Sequence, residues 1–369
     1  MQTFQPDLDW FDGFARYLGG AQEIERKARE CGAFQRARGV KSAFDLVRLA
    51  LMYGPGGLSL RGLAAAAEAD GVAQISDPAV FKRLHKSADF IEALCCDALA
   101  FAEKAVARPE PRPDGEAPAS RPLRLVDASR LEGPNGRCWR LHMAYDPRAA
   151  RILEAKITAM KAGESLRRFC PQPGDIVIAD RGYAQPEGLR QAVEAGADVI
   201  VRVTWNSLKL TDIQGRPLDW LALLGRARDC QTLEIPVLVN KPRGRFAPFP
   251  MRLLVIKKPP EAAEKARGQA LRANQKDQRK RIDPRTLESA DFLMLLTSLP
   301  AEAFPIGAVA ELYRVRWQIE LAFKRLKSIL HIDQLPAKSD EIARTWLHAH
   351  LLLALYADHI QDVLDVFSP

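Results

Sequence analysis

Apolar positions recur at helical spacing through residues 41–107, and turn residues divide them into short segments. KSAFDLVRLALMY ends at a Gly-Pro-Gly-Gly break. SLRGLAAAAEADG follows, with Ser59 as its N-cap and Gly71 as its stop. In ISDPAVFKRLHKS, Asp77 caps a third helix whose first position is Pro78. The pattern predicts an all-helical N-terminal region.

The third of these helices has one apolar face and one basic face. Its inward positions are Val80, Phe81 and Leu84, and its outward basic positions are Lys82, Arg83 and Lys86. A short helix, a tight turn and a short basic helix outline a helix-turn-helix, whose second helix enters the major groove of DNA. Any small helical bundle produces the same outline, so DNA binding and plain packing both stay open for this segment.

A proline-rich stretch, ARPEPRPDGEAPASRP, predicts a linker at residues 108–122. The pattern after it is that of strands, in PLRLVDASRL, CWRLHMAYDP and RILEAKITAM. DIVIADRGY, QPEGLRQAVEAG and ADVIVRVTW then read as strand, helix and strand. This order predicts a crossover and a parallel pair of strands.

Residues 206–300 are mainly β in pattern, in LEIPVLVN, MRLLVIKKP and FLMLLTSLP. A stretch rich in lysine and arginine separates the last two strands, at residues 257–285. Such a stretch is typical of a solvated helix or loop, and it equally suits a surface that follows a phosphate backbone.

The segment YRVRWQIELAFKRLK, read as one helix, places polar side chains beside its apolar stripe. On a helical wheel Tyr313, Arg316, Glu320 and Lys327 fall within about 60° of one another. The neighbouring apolar stripe consists of Leu312, Ile319, Phe323, Leu326 and Leu330. Charged residues meant only for water normally lie opposite the core, so this polar ridge suits the wall of a cleft. A solvated flank with local ion pairs is the alternative.

Composition describes a soluble globular protein with an excess of positive charge. The 369 residues are 47% hydrophobic and 27% charged, with a formal net charge of +8, which favours a polyanionic partner. The N-terminus is not a secretory signal, and the most apolar late run, WLHAHLLLALYA, is too short to span a bilayer. The six cysteines show no CxxC pair, so we expect free thiols in a reducing cytoplasm.

Two acids follow apolar strand segments, at Asp127 in LRLVD and Asp180 in IVIAD. Ligands gather at the carboxyl ends of strands in sheets of this kind. With Glu320 from a helix packed over the sheet, they would form a hard-oxygen site for Mg²⁺ or Mn²⁺ suited to phosphoryl displacement. Arg316 and Lys327 would then hold backbone phosphates. The rival acids, Asp146 before Pro147 and Asp175 after Gly174, are typical of turns.

The same residues resemble a known family. Tyr313, Arg316, Glu320 and Lys327 reproduce the Y-x2-R-x3-E-x6-K signature of the DDE transposases of the insertion-sequence-four family. DASRL at Asp127 is similar to that family's first-aspartate segment. DRGY at Asp180 is similar to its second, usually D-R-G-F, so the aromatic residue differs. The resemblance covers roughly residues 40–350.

The resemblance implies a ribonuclease-H-like mixed α/β sheet with flanking helices at residues 123–205 and 301–369, interrupted by a β-rich insertion at residues 206–300. An N-terminal helical DNA-binding domain would occupy residues 1–107. Asp127, Asp180 and Glu320 would be the catalytic and metal-binding triad for two Mg²⁺ or Mn²⁺ ions.

By the same resemblance, Tyr313, Arg316 and Lys327 would engage DNA near the cleaved end, in some members through a hairpin with a flipped base. Independently of the resemblance, the basic face of the third N-terminal helix predicts further DNA contacts at Lys82, Arg83 and Lys86. Three tryptophans are candidates for stacking that base, with core packing as the alternative: Trp205, Trp220 and Trp317.

The implied activity is metal-dependent cleavage and strand transfer at the ends of an insertion sequence. The implied partner is double-stranded DNA, both terminal repeats and target, bound by a dimer in a bacterial nucleoid, with no membrane. Two alternatives remain: a domesticated, non-catalytic DNA-binding protein on the same scaffold, and a plain metal-dependent nuclease. The three acids count against the binder, because carboxylates repel phosphate.

Overall fold

The computed structural model describes residues 8–104, 121–240, 246–276, 281–333, 335–336 and 339–367. The predicted linker at 108–122 lies outside these residues except for its last two positions. The chain divides into two compact units. The first unit comprises Met1–Val106, Ala128–Ala162 and Glu320–Pro369, and the second comprises Ala107–Asp127 and Gly163–Ile319.

The described residues contain helices and strands in a mixed α/β arrangement. The helices are α1 (Leu8–Tyr17), α2 (Gly20–Glu30), α3 (Ala43–Tyr53), α4 (Leu60–Ala69), α5 (Asp77–Lys86), α6 (Ala88–Lys104), α7 (Pro186–Glu194), α8 (Trp220–Asp229), α9 (Pro260–Lys276), α10 (Pro284–Ala290), α11 (Ile306–Arg314), α12 (Trp317–Leu330) and α13 (Asp340–Phe367). The strands are β1 (Leu123–Glu132), β2 (Cys138–Asp146), β3 (Arg151–Ala159), β4 (Ile176–Ala179), β5 (Asp198–Val203), β6 (Lys209–Thr211), β7 (Thr232–Asn240), β8 (Phe249–Lys257) and β9 (Phe292–Thr297).

The sheet of the second unit has the strand order β1-β4-β5-β9-β8-β7-β6. Strand β4 pairs in parallel with β1 on one side and with β5 on the other, so the crossover predicted through α7 is confirmed. The remaining pairs, from β5–β9 to β7–β6, are antiparallel. In the first unit the order is β3-β2-β1, and β2 and β3 pair antiparallel with an irregularity between Ala144 and Tyr145.

Helix α13 is central to the first unit. It contacts α3, α5, α6 and β3, and its apolar run WLHAHLLLALYA supplies many of the buried side chains there. That run therefore buries its side chains in a protein core. No helix in the described parts of the chain is long and apolar enough to cross a bilayer. All six cysteines are free, as the sequence predicted.

The short helices predicted in the N-terminal region are confirmed, with two corrections. Ser59 caps α4 by accepting a hydrogen bond from the backbone of Gly62, and Gly71 follows the helix in a left-handed conformation. The N-cap of α5 is Ser76, not Asp77, because the Ser76 backbone is extended and Asp77 is already helical. Phe81, expected inside, is 39% exposed.

The exposure of Phe81 follows from helix geometry. Val80 and Leu84, four residues apart, lie on one face of α5 and are fully buried. Phe81 lies about 100° farther round, beside the His85 ring on the outer face.

The segment from Tyr313 onward, predicted as one helix, belongs to two helices, α11 and α12. The prediction of a single polar ridge is therefore wrong. At the joint, the Arg316 N–H donates to the Tyr313 carbonyl (3.1 Å) and the Ile319 N–H to the Arg316 carbonyl (3.2 Å). These bonds span three residues, and such a turn advances farther per residue than an α-helix. A wheel drawn through α11 and α12 as one helix therefore misplaces side chains across the joint.

Residues 206–300 contain the three predicted strands as β7, β8 and β9, and a short β6. The expectation of a mainly β region omitted α8 and α10. Asp219 and Asp283 cap these helices by accepting backbone hydrogen bonds, which are the signals that sequence reasoning passed over. The described part of the basic stretch is largely the helix α9, and its contact with a phosphate backbone stays a prediction.

Candidate active site

Two carboxylates of the second unit lie side by side where β1 and β4 stop pairing. Val126 is aligned with Ala179 in that parallel pair, Asp127 is the next residue of β1, and Asp180 directly follows β4. We expected the strand to end at Asp127, but β1 continues to Glu132. The sequence therefore located the adjacent carboxylates correctly and the end of the strand incorrectly.

Arg316 connects the first of these carboxylates to Tyr313. Its guanidinium donates to Asp127 Oδ2 at 3.4 Å, and it also hydrogen-bonds the Tyr313 hydroxyl. Both Arg316 and Asp127 are about four-fifths buried. The turn between α11 and α12 carries the arginine, so the break in the helix gives Arg316 its position.

Tyr313 is buried against the same group of charges. Burial raises the pKa of its hydroxyl to about 12, and the negative charge of Asp180 acts in the same direction. The positive charges of Arg316 and Arg202 lower that pKa by smaller amounts. The hydroxyl therefore keeps its proton at neutral pH and can donate a hydrogen bond.

Asp180 is held more loosely than Asp127. Its Oδ1 lies 4.0 Å from Nη1 of Arg202, a distance that permits Coulomb attraction but exceeds that of a hydrogen bond. That oxygen is buried and accepts no hydrogen bond among the described residues, although the side chain as a whole is 40% exposed. A buried carboxylate oxygen without a donor is costly, so this oxygen is suited to accept a cation or a proton donor.

The other two signature residues belong to the first unit. Glu320 is exposed in the first turn of α12. The amino group of Lys327, farther along α12, donates to the backbone carbonyl of Arg130 at 3.1 Å. The structure thus brings Asp127, Asp180, Tyr313 and Arg316 together within the second unit. Glu320 and Lys327 belong to the first unit, and their roles stay predictions.

The rival acids have structural partners. Asp146 accepts hydrogen bonds from the backbones of Arg148 and Ala149, so its interpretation as a turn residue is confirmed. Asp175 closes a turn with Gln172, as expected. It also forms an ion pair with Arg124, each 1% exposed, which the sequence did not reveal.

The candidate DNA contacts of α5 differ from one another. Lys82 and Lys86 are exposed, whereas Arg83 is partly covered and donates to the carbonyl of Arg38.

Among the tryptophans, Trp220 is buried and Trp205 packs under the guanidinium of Arg285, 3.8 Å from its ring centre. Trp317 is exposed, so core packing does not explain it.

Sequence reasoning missed Arg202. It is the residue of β5 that follows Val201, and Val201 is aligned with Ala179, so Arg202 stands beside Asp180 in the sheet. The signal was present in ADVIVRVTW, where one arginine interrupts an otherwise apolar run. Asp127, Asp180 and Arg202 thus occupy one row across three parallel strands.

The carboxylates fit part of a divalent-metal site. In the part of the chain that the structure describes, no three His, Cys, Asp or Glu side chains are gathered as metal ligands. Asp127 and Asp180 nevertheless offer carboxylate oxygens on adjacent strands, which are the ligands that Mg²⁺ prefers. The buried Oδ1 of Asp180, to which no described residue donates a hydrogen bond, is the atom that a cation would satisfy.

Comparison with known proteins identifies the family. A model described as the transposase DDE domain matches residues 118–356. InsL of the insertion sequence element IS186A from Escherichia coli (strain K12) is 40% identical over 98% of this chain and 96% of its own length. The transposase for insertion sequence element IS421 of Escherichia coli is 39% identical over the same shares of both chains.

A more distant relative is the transposase for insertion sequence element IS231F from Bacillus thuringiensis subsp. israelensis. It is 24% identical over 49% of this chain and 40% of its own length. The mixed sheet, the flanking helices and the helical N-terminal region are those expected of a ribonuclease-H-like transposase, so the predicted fold class is confirmed. With the near-full-length similarity to IS186A and IS421, the chain belongs to the DDE transposases of the insertion-sequence-four family.

Proposed function

We propose that this transposase cleaves DNA at the ends of its own insertion sequence and joins the freed ends to target DNA, with a divalent metal as cofactor. The observation that supports this most directly is the cluster around Asp127 and Asp180. Two adjacent carboxylates, a tyrosine that keeps its proton and two arginines meet at one edge of a sheet. That combination suits a phosphodiester substrate, since the acids offer metal ligands and the arginines offer partners for phosphate.

The proposed metal ligands are Asp127, Asp180 and Glu320, with Mg²⁺ or Mn²⁺ as the ion and two ions as the number. Family membership supports the inclusion of Glu320, which occupies the glutamate position of the signature. Bound there, the ions would activate the attacking oxygen and stabilise the leaving oxygen of an in-line displacement. The protein's own contribution is to hold the carboxylates in register and to limit their access to water.

Arg316, Lys327 and Tyr313 are the proposed DNA contacts near the cleaved bond. Arg316 already lies against Asp127, so a phosphate bound by its guanidinium would lie close to the acids. Tyr313 can donate its hydroxyl hydrogen to a phosphate oxygen at neutral pH, because its pKa is near 12. Lys327 would supply a point charge, with its amino group exchanging the Arg130 carbonyl for phosphate.

The N-terminal helical domain, proposed at residues 1–107, would recognise the ends of the element. Lys82 and Lys86 on the exposed face of α5 support this role. Arg83 belongs to the same set, although its guanidinium donates a hydrogen bond to the carbonyl of Arg38. The catalytic domain at residues 123–205 and 301–369, the insertion at 206–300 and the linker at 108–122 complete the proposed division. Two copies would bind two ends in the nucleoid of a bacterial cytoplasm.

The decisive experiment combines the purified protein with a labelled duplex carrying its element's terminal repeat, a target plasmid and Mg²⁺. We expect nicked ends and, in addition, products in which the end is joined to the plasmid. Cleavage without joining would instead identify a metal-dependent nuclease, and binding without either product a non-catalytic DNA-binding protein. The Asp180→Asn variant is the matched control, because it keeps the shape of the site and removes one charge.

A further inference from the structure

Arg202 lies in the row of Asp127 and Asp180 with its donors unused. A guanidinium carries five N–H donors. Among the described residues, the Arg202 side chain donates no hydrogen bond, and its ion pair is the 4.0 Å approach to Asp180. The side chain is 42% exposed, so it reaches the surface of the site. An arginine that only neutralised Asp180 would be expected to bind it at hydrogen-bond distance, as the buried Arg124 binds Asp175 at 2.9 Å.

A second cation of the same unit, Lys258, is less suited than Arg202 to bind an anion. Lys258 directly follows β8, and burial first and the charge of Arg202 second lower the pKa of its amino group, whereas the charge of Asp291 raises it. One of the three N–H donors of the Lys258 amino group already donates to the carbonyl of Ala290, at 2.7 Å. Arg202, by contrast, donates no hydrogen bond among the described residues, so all of its donors are available to an anion.

We propose that Arg202 is a substrate-binding residue that contacts a backbone phosphate of the DNA beside Asp180. The inference rests on the proposed function, since it assigns a further contact to the same site. Phosphate is the anion that fits, because it accepts the paired N–H groups of a guanidinium through two oxygens. Arg202 would approach the strand from β5, and Arg316 from the turn before α12.

The test is the salt dependence of DNA binding, which reports phosphate contacts without requiring any chemistry. Wild type and Arg202→Gln are titrated with the terminal-repeat duplex, without divalent metal, over a series of salt concentrations. One lost phosphate contact makes the slope of log affinity against log salt shallower by about 0.9. Arg202→Lys keeps the charge, so its slope is expected to stay near that of wild type, while its Mg²⁺-dependent cleavage falls because the forked geometry is lost.

The matched control is Arg216→Gln, which removes an exposed arginine of the same unit whose side chain is already paired with Asp212 at 2.8 Å. It should leave both the slope and cleavage unchanged. If Arg202→Gln keeps the wild-type slope, the proposal is overturned whatever happens to cleavage, since a purely structural effect on Asp180 would lower cleavage alone. Should Arg202→Gln unfold, the slope is measured with Arg202→Met, which also removes the charge, and a slope equal to that of wild type contradicts the proposal.

The result for Arg202 can be distinguished from a failure of the proposed function. If wild type itself neither nicks nor joins its ends with Mg²⁺, the proposed function fails. The slope measured without metal still decides whether Arg202 contacts phosphate.

Discussion

The parallel strands of the second unit begin at one edge of the sheet and end at the opposite edge. Both edges carry aspartates and arginines, but the distances between these charged groups differ. At the amino ends, Arg124 and Asp175 are buried together, and Arg121 pairs with Asp198 at 2.8 Å. Asp198 also accepts a hydrogen bond from Ser298, and Asp175 accepts one from the backbone of Gln172. Each of these carboxylates is held by a short, direct contact.

At the carboxyl ends the contacts are longer. Arg316 approaches Asp127 at 3.4 Å and Arg202 approaches Asp180 at 4.0 Å, and among the residues that the structure describes no donor reaches one buried oxygen of Asp180. Buried ions that are fully paired contribute to the fold, whereas a carboxylate with unmet capacity, such as that of Asp180, is available to a ligand. The comparison indicates that one edge of the sheet is structural and that the opposite edge is available for chemistry.

The largest effect is expected from removing charge at the available edge. Asp127→Asn and Asp180→Asn, and likewise Glu320→Gln, should each reduce cleavage and strand transfer by roughly three orders of magnitude or more, because metal ligands act as a unit. DNA binding should not weaken, since each change removes repulsion from phosphate. Gel assays of cleavage, joining and binding measure all three.

Thermal unfolding of the same variants is the control, and their midpoints should stay near that of wild type. If Asp127→Asn still cleaves while Asp146→Asn is inactive, the first ligand has been assigned to the wrong strand.

The structural edge should respond through stability. Asp175→Asn leaves the buried guanidinium of Arg124 without its counter-charge, which costs about 3–5 kcal/mol of unfolding free energy. Denaturant titration of the variant against wild type measures this loss. A double variant, Arg124→Met with Asp175→Leu, removes both charges and should recover most of it. A loss below about 1 kcal/mol would mean that the two edges do not differ as described.

Tyr313→Phe tests how the available edge is organised. The variant keeps the buried ring and removes the hydroxyl that Arg316 hydrogen-bonds, so Arg316 should be held less firmly against Asp127. We expect cleavage to fall by about tenfold, the equivalent of about 1.4 kcal/mol. Unfolding free energy should change by about 1 kcal/mol or less. Single-turnover cleavage separates the two quantities, and an unfolding loss as large as that of Asp175→Asn would assign Tyr313 to the core instead.

The smallest effect is expected at Asp146. Its carboxylate accepts backbone hydrogen bonds from Arg148 and Ala149 in a turn, and an asparagine carbonyl accepts the same bonds. Asp146→Asn should therefore cleave like wild type and unfold within about 0.5 kcal/mol of it. Both measurements use the assays above, and a clear loss of cleavage would show that an acid outside the two edges takes part in the chemistry.

Local patterns were sufficient to predict most strands and several helix ends. Alternation and apolar runs located β1 to β5 and β7 to β9, because side-chain periodicity reflects burial directly. Ser59 and Gly71 marked the ends of α4 correctly, because capping depends on a few neighbouring backbone groups. The adjacency of Asp127 and Asp180 was also predictable, since both follow apolar strands in a parallel arrangement.

Features that depend on contacts distant in sequence were not predictable in this way. The pairing of Arg124 with Asp175 spans 51 residues, and no local pattern distinguishes a buried Asp175 from one exposed in a turn. The place of Arg202 beside Asp180 became visible only with the register of β5 against β4.

The break between α11 and α12 is a further case, since a hydrophobic pattern of period 3.6 does not reveal a single tighter turn. Periodicity and capping are properties of neighbouring residues, so the amino-acid order expresses them directly. Which charges meet, and how tightly, depends on strand register and burial, which arise when distant segments pack together.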